Sequence, residues 1–425
     1  MTHTKSSTNR REQAGVTLLN PSSPQVYLVN PSERAILEQA GDRMPLGLLY
    51  IAKELERFNH PVKVYDMNHE TEDKLVDDIV RENPHIVGIS CLTTPMLNET
   101  KKLIQTIKRY ADRIVVGGYH PTIMPEDFRG LADSVVIGEG EYGIECLVND
   151  INGFKMNTRP VNLRALGKPA RHLLDSNRYN LIQEGLRTST MITSRGCPNK
   201  CVYCGNMNRL VRNHDLEDIE DELKEIKNSG YQAVYFLDDV FTINKNRAIG
   251  IGQLAKEAGL RFRITTRANY ITSDLIRCLA SQGLDIASMG VESGNSEVLN
   301  ACGKGQTIGQ IREAVALCGD YGVKTKGFFI LGLPGETEKT AYQTIRFAEE
   351  LSNLGMEYFD FYSLVPFPGT DIWKNPDKYG LKIIDTDYTH YLQATKGEPK
   401  IVCETKELKA DKISELLIEA KRRLK

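Results

Sequence analysis

Cys197, Cys201 and Cys204 fall within eight residues of one another, in the stretch Thr190–Gly205, TMITSRGCPNKCVYCG. Their spacing is C-x-x-x-C-x-x-C, opened by the phrase SRGCP, with Tyr203 just before the last cysteine. Thiolates are soft ligands that select iron–sulfur clusters, zinc or copper(I). A structural zinc site closes with four ligands. Here no fourth Cys or His stands in the loop: Asn199 and Lys200 do not suit zinc, and His214 lies on the following polar stretch. Three thiolates leave one metal position open, which suits a cluster with an iron free to bind a chelating ligand.

Such a loop needs elements to hold it. A β-branched strand, Met191–Ser194, is predicted to lead into it. After the loop the pattern alternates strand and helix. Strands are expected at Ala233–Leu237, Phe262–Thr266, Ile286–Val291, Thr325–Leu331 and Tyr358–Leu364, with helices such as Leu216–Asn228 and Lys245–Ala258 between them. The total is six strands, and β/α barrels carry their active sites at the carboxyl ends of the strands. Polar residues stand at those ends. Asp238 and Asp239 follow the second strand, and adjacent carboxylates can accept from an ammonium group. Arg267 follows the third strand and can pair with a carboxylate, Glu292 ends the fourth, and Gly332 lies in the turn LGLPGET after the fifth. A helix cap or a solvated carboxylate is the plain alternative for each one singly. Pro366-Phe367-Pro368-Gly369-Thr370 is sufficiently explained as a turn closing the sixth strand.

The first half has its own rhythm. Strands are predicted at Val26–Asn30, Val62–Tyr65, Ile86–Ser90, Ile114–Val116 and Ser134–Ile137, and helices at Leu46–Phe58, Thr71–Glu82 and Asn98–Tyr110. That alternation means a doubly wound parallel sheet, which binds ligands at the carboxyl ends of its strands. Three ends fit a ligand: Ser90–Thr94 with its hydroxyls, the Gly117-Gly118 turn that lets a flat molecule approach, and Gly138-Glu139-Gly140-Glu141.

The run PLGLLYIAKEL…VKVYD…PHIVGIS…VVGGYHPTIMPED…VVIGEGE resembles the cobalamin-binding domain found ahead of many radical S-adenosylmethionine (radical SAM) domains, and Thr188–Trp373 resembles the radical SAM domain itself. The resemblance implies a 4Fe-4S cluster on Cys197, Cys201 and Cys204, whose open iron chelates S-adenosylmethionine. It places Tyr203, Asp238, Asp239, Arg267, Glu292 and Gly332 around S-adenosylmethionine. It places Ser90, Thr93, Gly117, Gly118, His120, Gly138, Glu139 and Gly140 around cobalamin. No D-x-H-x-x-G motif is present, because Asp66-Met67-Asn68-His69 lacks the spacing and the glycine, so cobalt is expected without that imidazole. The implied activity is methylation of an unactivated carbon, with cobalamin carrying the methyl group and a 5′-deoxyadenosyl radical abstracting hydrogen. Rearrangement, cyclisation or dehydration without methyl transfer is the first alternative, and a non-catalytic iron–sulfur or cobalamin carrier the second. The implied partners are a small-molecule or peptide side-chain substrate and an electron donor such as flavodoxin or ferredoxin.

The whole chain fits an α/β protein with a doubly wound domain, a partial barrel and a small C-terminal extension, preceded by a tail and joined by a linker. Residues 1–24 read as a disordered tail, 25–151 as the cobalamin-binding-like domain and 152–187 as a linker. Residues 188–374 read as a partial six-fold β/α barrel and 375–425 as a C-terminal extension ending in a helix over Leu408–Leu424. Of 425 residues, 54 are Lys or Arg and 56 Asp or Glu, a balance that gives no sign of a nucleic-acid partner. No apolar run is long enough to span a membrane, and no added RNA-binding barrel is evident. Nine mostly scattered cysteines are poor material for a disulfide framework and point to a reducing cytoplasm. Cys302 is expected to be a small packed apolar group, and so are Cys278 and Cys318.

Overall fold

The computed structural model describes residues 26–34, 37, 40–143, 154–206, 208–392 and 400–424. The expected N-terminal tail and Cys146 lie outside the described residues.

The first sheet is built from β1 (Val26–Asn30), β2 (Val62–Asp66), β3 (Ile86–Ser90), β4 (Ile114–Gly117), β5 (Ser134–Ile137) and β6 (Lys155–Asn157). Its order is β2-β1-β3-β4-β5-β6, and every pairing is parallel. Both faces are covered, as period-2 alternation shows. Tyr27, Val29, Val87, Ile89, Val116 and Val135 pack on the helices Glu72–Glu82 and Leu97–Ile107. Val26, Leu28, Ile86, Val115 and Val136 turn to the other side and pack on the helix Leu46–Arg57. Thr71 caps its helix by accepting from Lys74 N, which sets where that helix begins.

The second sheet holds β7 (Leu181–Gln183), β8 (Leu186–Met191), β11 (Ala233–Phe236), β12 (Arg261–Thr266), β13 (Leu284–Glu292), β14 (Lys324–Leu331) and β15 (Met356–Ser363). Between β8 and β11 a two-residue ladder joins β9 (Ser194–Arg195) to β10 (Arg212–Asn213). The order is β15-β14-β13-β12-β11-β8-β7, with six parallel strands and β7 added antiparallel at one edge. Among the described residues the two edges do not pair with each other, so the barrel is open.

Two expectations need correction. The first barrel strand is Leu186–Met191 rather than Met191–Ser194; its polar sequence, LRTSTM, hides the alternation. The stretch expected as a plain linker supplies β6 to the first sheet and β7 to the second. Both are three residues long, too short for a periodic signal. The linker is also pinned to the barrel: the buried Arg171 donates to Glu222 Oε1 (2.5 Å) and to the Thr190 carbonyl (2.5 Å). In the C-terminal extension, β16 (Leu381–Ile383) pairs with β17 (Cys403–Thr405). The helix Ala410–Arg423 then buries Ile413, Leu416, Leu417 and Ala420 in the barrel core.

Candidate active site where the two sheets meet

The three-cysteine loop leaves β9 and returns at β10, and polar groups brace its base. Asp238, at the end of β11, is buried, and its two oxygens accept from Thr193 N (2.7 Å), Thr193 Oγ1 (2.6 Å) and Ser194 Oγ (2.6 Å). The expectation that Asp238 faces S-adenosylmethionine is therefore corrected: its acceptor capacity is spent inside the protein. Asp239 stays exposed, and its Oδ2 accepts from Gly196 N at 3.0 Å. Within the loop, Cys197 N donates to the Asn208 carbonyl, Asn199 Nδ2 lies 3.2 Å from Cys197 Sγ, and Asn206 N lies 3.4 Å from Cys204 Sγ. Three cysteines in one loop, with no fourth Cys or His in it, are a donor set that fits an iron–sulfur cluster with one open iron.

Beside the loop, Arg267 is 5% exposed and sends Nη1 to Cys201 Sγ at 3.4 Å. Its Nη2 is buried with no partner. Gln306 Nε2 donates to the Gly290 carbonyl at 2.7 Å, and its buried Oε1 is also unpartnered. The Tyr203 hydroxyl is buried beside Cys201 and Glu292 and completes no hydrogen bond of good geometry; burial raises its pKa. Each unmet buried polar group costs about 1–3 kcal/mol unless a ligand meets it. The residues thus fit a polar ligand held next to the cysteine loop.

Glu292 ends β13 with φ +66°, a left-handed backbone that non-glycine residues rarely adopt. The register between β13 and β14 slips just there, between Gly290 and Glu292. The buried Glu292 Oε1 pairs with the equally buried Lys304 Nζ at 2.7 Å. Sequence reasoning missed Lys304 and Gln306. They belong to a loop, Cys302–Gln306, whose Cys302 carbonyl accepts from Val202 N, and only that contact across a hundred residues of chain reveals them. Gly332 is not a ligand-facing glycine: a methyl there would stand 3.1 Å from Ile413 Cδ1 of the C-terminal helix. Its N–H donates to the buried Glu336, whose pKa burial pushes up to about 8.

On the first sheet, Ser90 is half-buried and Thr93 exposed at the end of β3, and Gly117 meets only Val136 Cβ at 3.6 Å. These three remain open to a ligand. The other glycines answer to protein atoms: side chains at Gly118, Gly138 and Gly140 would collide with the Cys91 carbonyl, Thr158 and Ile51. The expected contact of His120 with a corrin is overturned. The ring is 0% exposed, with Nδ1 3.2 Å from Thr94 Oγ1 and Nε2 2.9 Å from Asp127 Oδ2. Glu139 is likewise taken, because Arg212 donates to both its oxygens at 2.7 and 2.6 Å.

That last pair crosses between the sheets. Arg195, immediately before the cysteine loop, donates to Glu141 at 2.7 Å, and the Tyr119 hydroxyl donates to the Pro368 carbonyl at 2.9 Å. The carboxyl ends of β4 and β5 therefore meet the flank of the cysteine loop.

The sequence matches the family model of the radical SAM superfamily over residues 191–348 and that of the B12 binding domain over residues 35–148. It is 31% identical over 383 residues to an uncharacterized methyltransferase of Pyrococcus horikoshii, covering 82% of each chain. It is 26% identical to the anaerobic magnesium-protoporphyrin IX monomethyl ester cyclase of Rubrivivax gelatinosus, over 83% of this chain and 69% of that one. Its fold matches the radical S-adenosylmethionine methyltransferase TsrM of Kitasatospora setae, solved with cobalamin and a [4Fe-4S] cluster. The TM-score is 0.74 at 18% identity, covering 94% of this chain and 91% of that one. The chain belongs to the radical SAM superfamily, in the cobalamin-dependent methyltransferase family that sets a B12-binding domain ahead of the radical SAM barrel.

Proposed function

We propose that the protein methylates an unactivated carbon of a small-molecule or peptide side-chain substrate, as a cobalamin-dependent radical SAM enzyme. The observation that carries this reading is the meeting of the two strand-end faces: Arg195, Arg212 and Pro368 of the barrel hold Glu141, Glu139 and Tyr119 of the first domain beside the cysteine loop. When bound, the cluster supplies the electron that cleaves S-adenosylmethionine, and cobalamin supplies the methyl group. Cys197, Cys201 and Cys204 hold the cluster, with Asp238 and Asp239 fixing the base of their loop. Arg267 Nη2 and Gln306 Oε1, a buried donor and a buried acceptor, receive the carboxylate and ammonium of S-adenosylmethionine. Glu292 and Tyr203 line the same ligand, and Ser90, Thr93 and Gly117 receive cobalamin. A cytoplasmic electron donor of the flavodoxin or ferredoxin type would supply that electron.

The cyclase relative favours one second reading, a radical reaction without methyl transfer. Reconstituted protein given S-adenosylmethionine labelled on its S-methyl group should carry the label into the bound cobalamin fraction under reducing conditions. Formation of 5′-deoxyadenosine with no label on cobalamin would assign the protein to the second reading.

A further inference from the structure

In the barrel sheet, Val234, Phe236, Phe262, Ile264 and Met289 pack on the helices. The alternate residues of those strands face the other way, into the barrel, and include the polar Tyr235, Arg263, Thr265 and Ser288. Arg263 lies over the Tyr235 ring, with its guanidinium carbon 4.5 Å from the ring centroid, and donates from Nε to Ser288 Oγ at 3.1 Å. Lys326 Nζ pairs with Asp360 at 2.6 Å, and the Tyr362 hydroxyl donates to the same carboxylate oxygen at 2.9 Å. Below them Glu184, on the turn between β7 and β8, accepts from Lys324 (2.5 Å) and Tyr358 (2.6 Å) at the starts of β14 and β15. These strands belong to the opposite edge of the sheet, so the contact floors the open barrel.

Lys324 is shared by Glu184 and Glu357, and Lys326 pairs with Asp360. Among the described residues Arg263 has no carboxylate within 4.0 Å. It is half-buried; its direct contacts are a hydroxyl and a ring face, and the Glu184 charge reaches it only from beyond ion-pair distance. A guanidinium over an aromatic ring is a ready partner for a planar or tetrahedral oxyanion.

We infer that the barrel pocket binds an organic anion, a carboxylate or phosphate ester, whose oxygens meet Arg263 and whose flat or apolar part lies against Tyr235, Phe328 and Tyr362. The inference rests on the methyltransferase reading and names the chemical class of its substrate. It also orients the molecule. Arg263 and Arg267 stand four residues apart on one strand face, about 13 Å at roughly 3.3 Å per residue. The anion therefore anchors deep, and the methylated carbon lies at the remote end, on the order of 10 Å away.

The test uses holoprotein with cluster and cobalamin, saturated with S-adenosylmethionine and without reductant, so that Arg267 is already engaged. Phenyl phosphate, 3-phenylpropionate, 3-phenylpropan-1-ol and 3-phenylpropylamine are titrated by calorimetry or ligand-observed NMR. One or both anions should bind at least about tenfold more tightly than the alcohol and the amine, and their order separates phosphate from carboxylate substrates. Arg263→Met should weaken the anions by roughly ten- to hundredfold, and Arg263→Lys should restore part of that loss. Should Arg263→Met fail to fold, the wild-type panel and Arg263→Lys still decide. Equal affinity for alcohol and anion, tightest binding of the amine, or unchanged anion affinity in folded Arg263→Met would each overturn the inference. Anion selectivity without labelled cobalamin would sink the methyltransferase reading alone, whereas labelled cobalamin without anion selectivity would sink this one alone.

Discussion

Asp238 and Asp239 are neighbours in sequence with separate duties. Asp238 accepts three hydrogen bonds from the segment that launches the cysteine loop, whereas Asp239 stays exposed with one. Asp238→Ala is thus expected to lower the iron content of reconstituted protein, because it releases the loop's base. Glu292→Gln should instead leave iron intact and weaken S-adenosylmethionine binding by roughly tenfold, through its lost charge beside Lys304. Iron analysis paired with equilibrium binding separates the two. Loss of iron from Glu292→Gln, or its retention in Asp238→Ala, would reverse the assignment. His120 belongs to this scale too. Both its nitrogens are engaged in the core, so spin resonance of the cob(II)alamin form should show no splitting from a histidine nitrogen, and Ser90, Thr93 and Gly117 remain the contacts to test.

The turn after β14 shows how an element can carry a titratable strain. Glu336 is buried there, with Oε2 accepting from Gly332 N at 2.6 Å and Oε1 unpartnered. Burial raises its pKa from 4.5 to about 8. Below pH 4.5 the carboxyl is neutral in both folded and unfolded chains and adds no penalty. As pH rises from 4.5 towards 8 the unfolded chain ionises first, so the folded state loses relative stability, and the loss levels off above 8. The melting temperature should therefore fall between pH 6 and pH 8 in the wild type and fall less in Glu336→Gln. Parallel curves for the two proteins would show that Glu336 does not set this slope. The C-terminal extension seals the turn, since Thr405 Oγ1 donates to the Glu336 carbonyl and Ile413 packs on Gly332.

At the scale of the molecule, the two sheets are joined by charge as well as by chain. Arg195–Glu141 and Arg212–Glu139 are part-buried pairs, and Arg195 also lies over the Tyr50 ring, 5.2 Å from its centroid. The C-terminal extension adds a second bridge, with Tyr388 edge-on to His120 at 5.7 Å. Charge-assisted bonds of this kind are each worth about 1.5–3 kcal/mol. The double variant Glu139→Gln, Glu141→Gln should separate the unfolding of the two domains in calorimetry and speed proteolysis between them. A single unshifted transition would mean that the Tyr388 contact and the linker suffice.

The sequence by itself determined the cysteine loop, the alternation of strands and helices in both halves, and the order of the domains. Those are local signals: ligand spacing within eight residues and apolar periodicity within single elements. It also located Arg267 and Glu292 correctly at strand ends, because an alternating strand announces where it stops. Only the tertiary structure decided how each polar group's hydrogen-bonding capacity is used. Asp238, Glu139 and His120 look as available in sequence as Asp239, Thr93 or Ser90, yet partners from distant segments claim them. Lys304 and Gln306 acquire meaning only when their loop folds against the cysteines, and Arg263 only when the sheet sets it over the Tyr235 ring without an ion pair of its own. Burial and pairing depend on contacts across tens to hundreds of residues, and no spacing within one element encodes them.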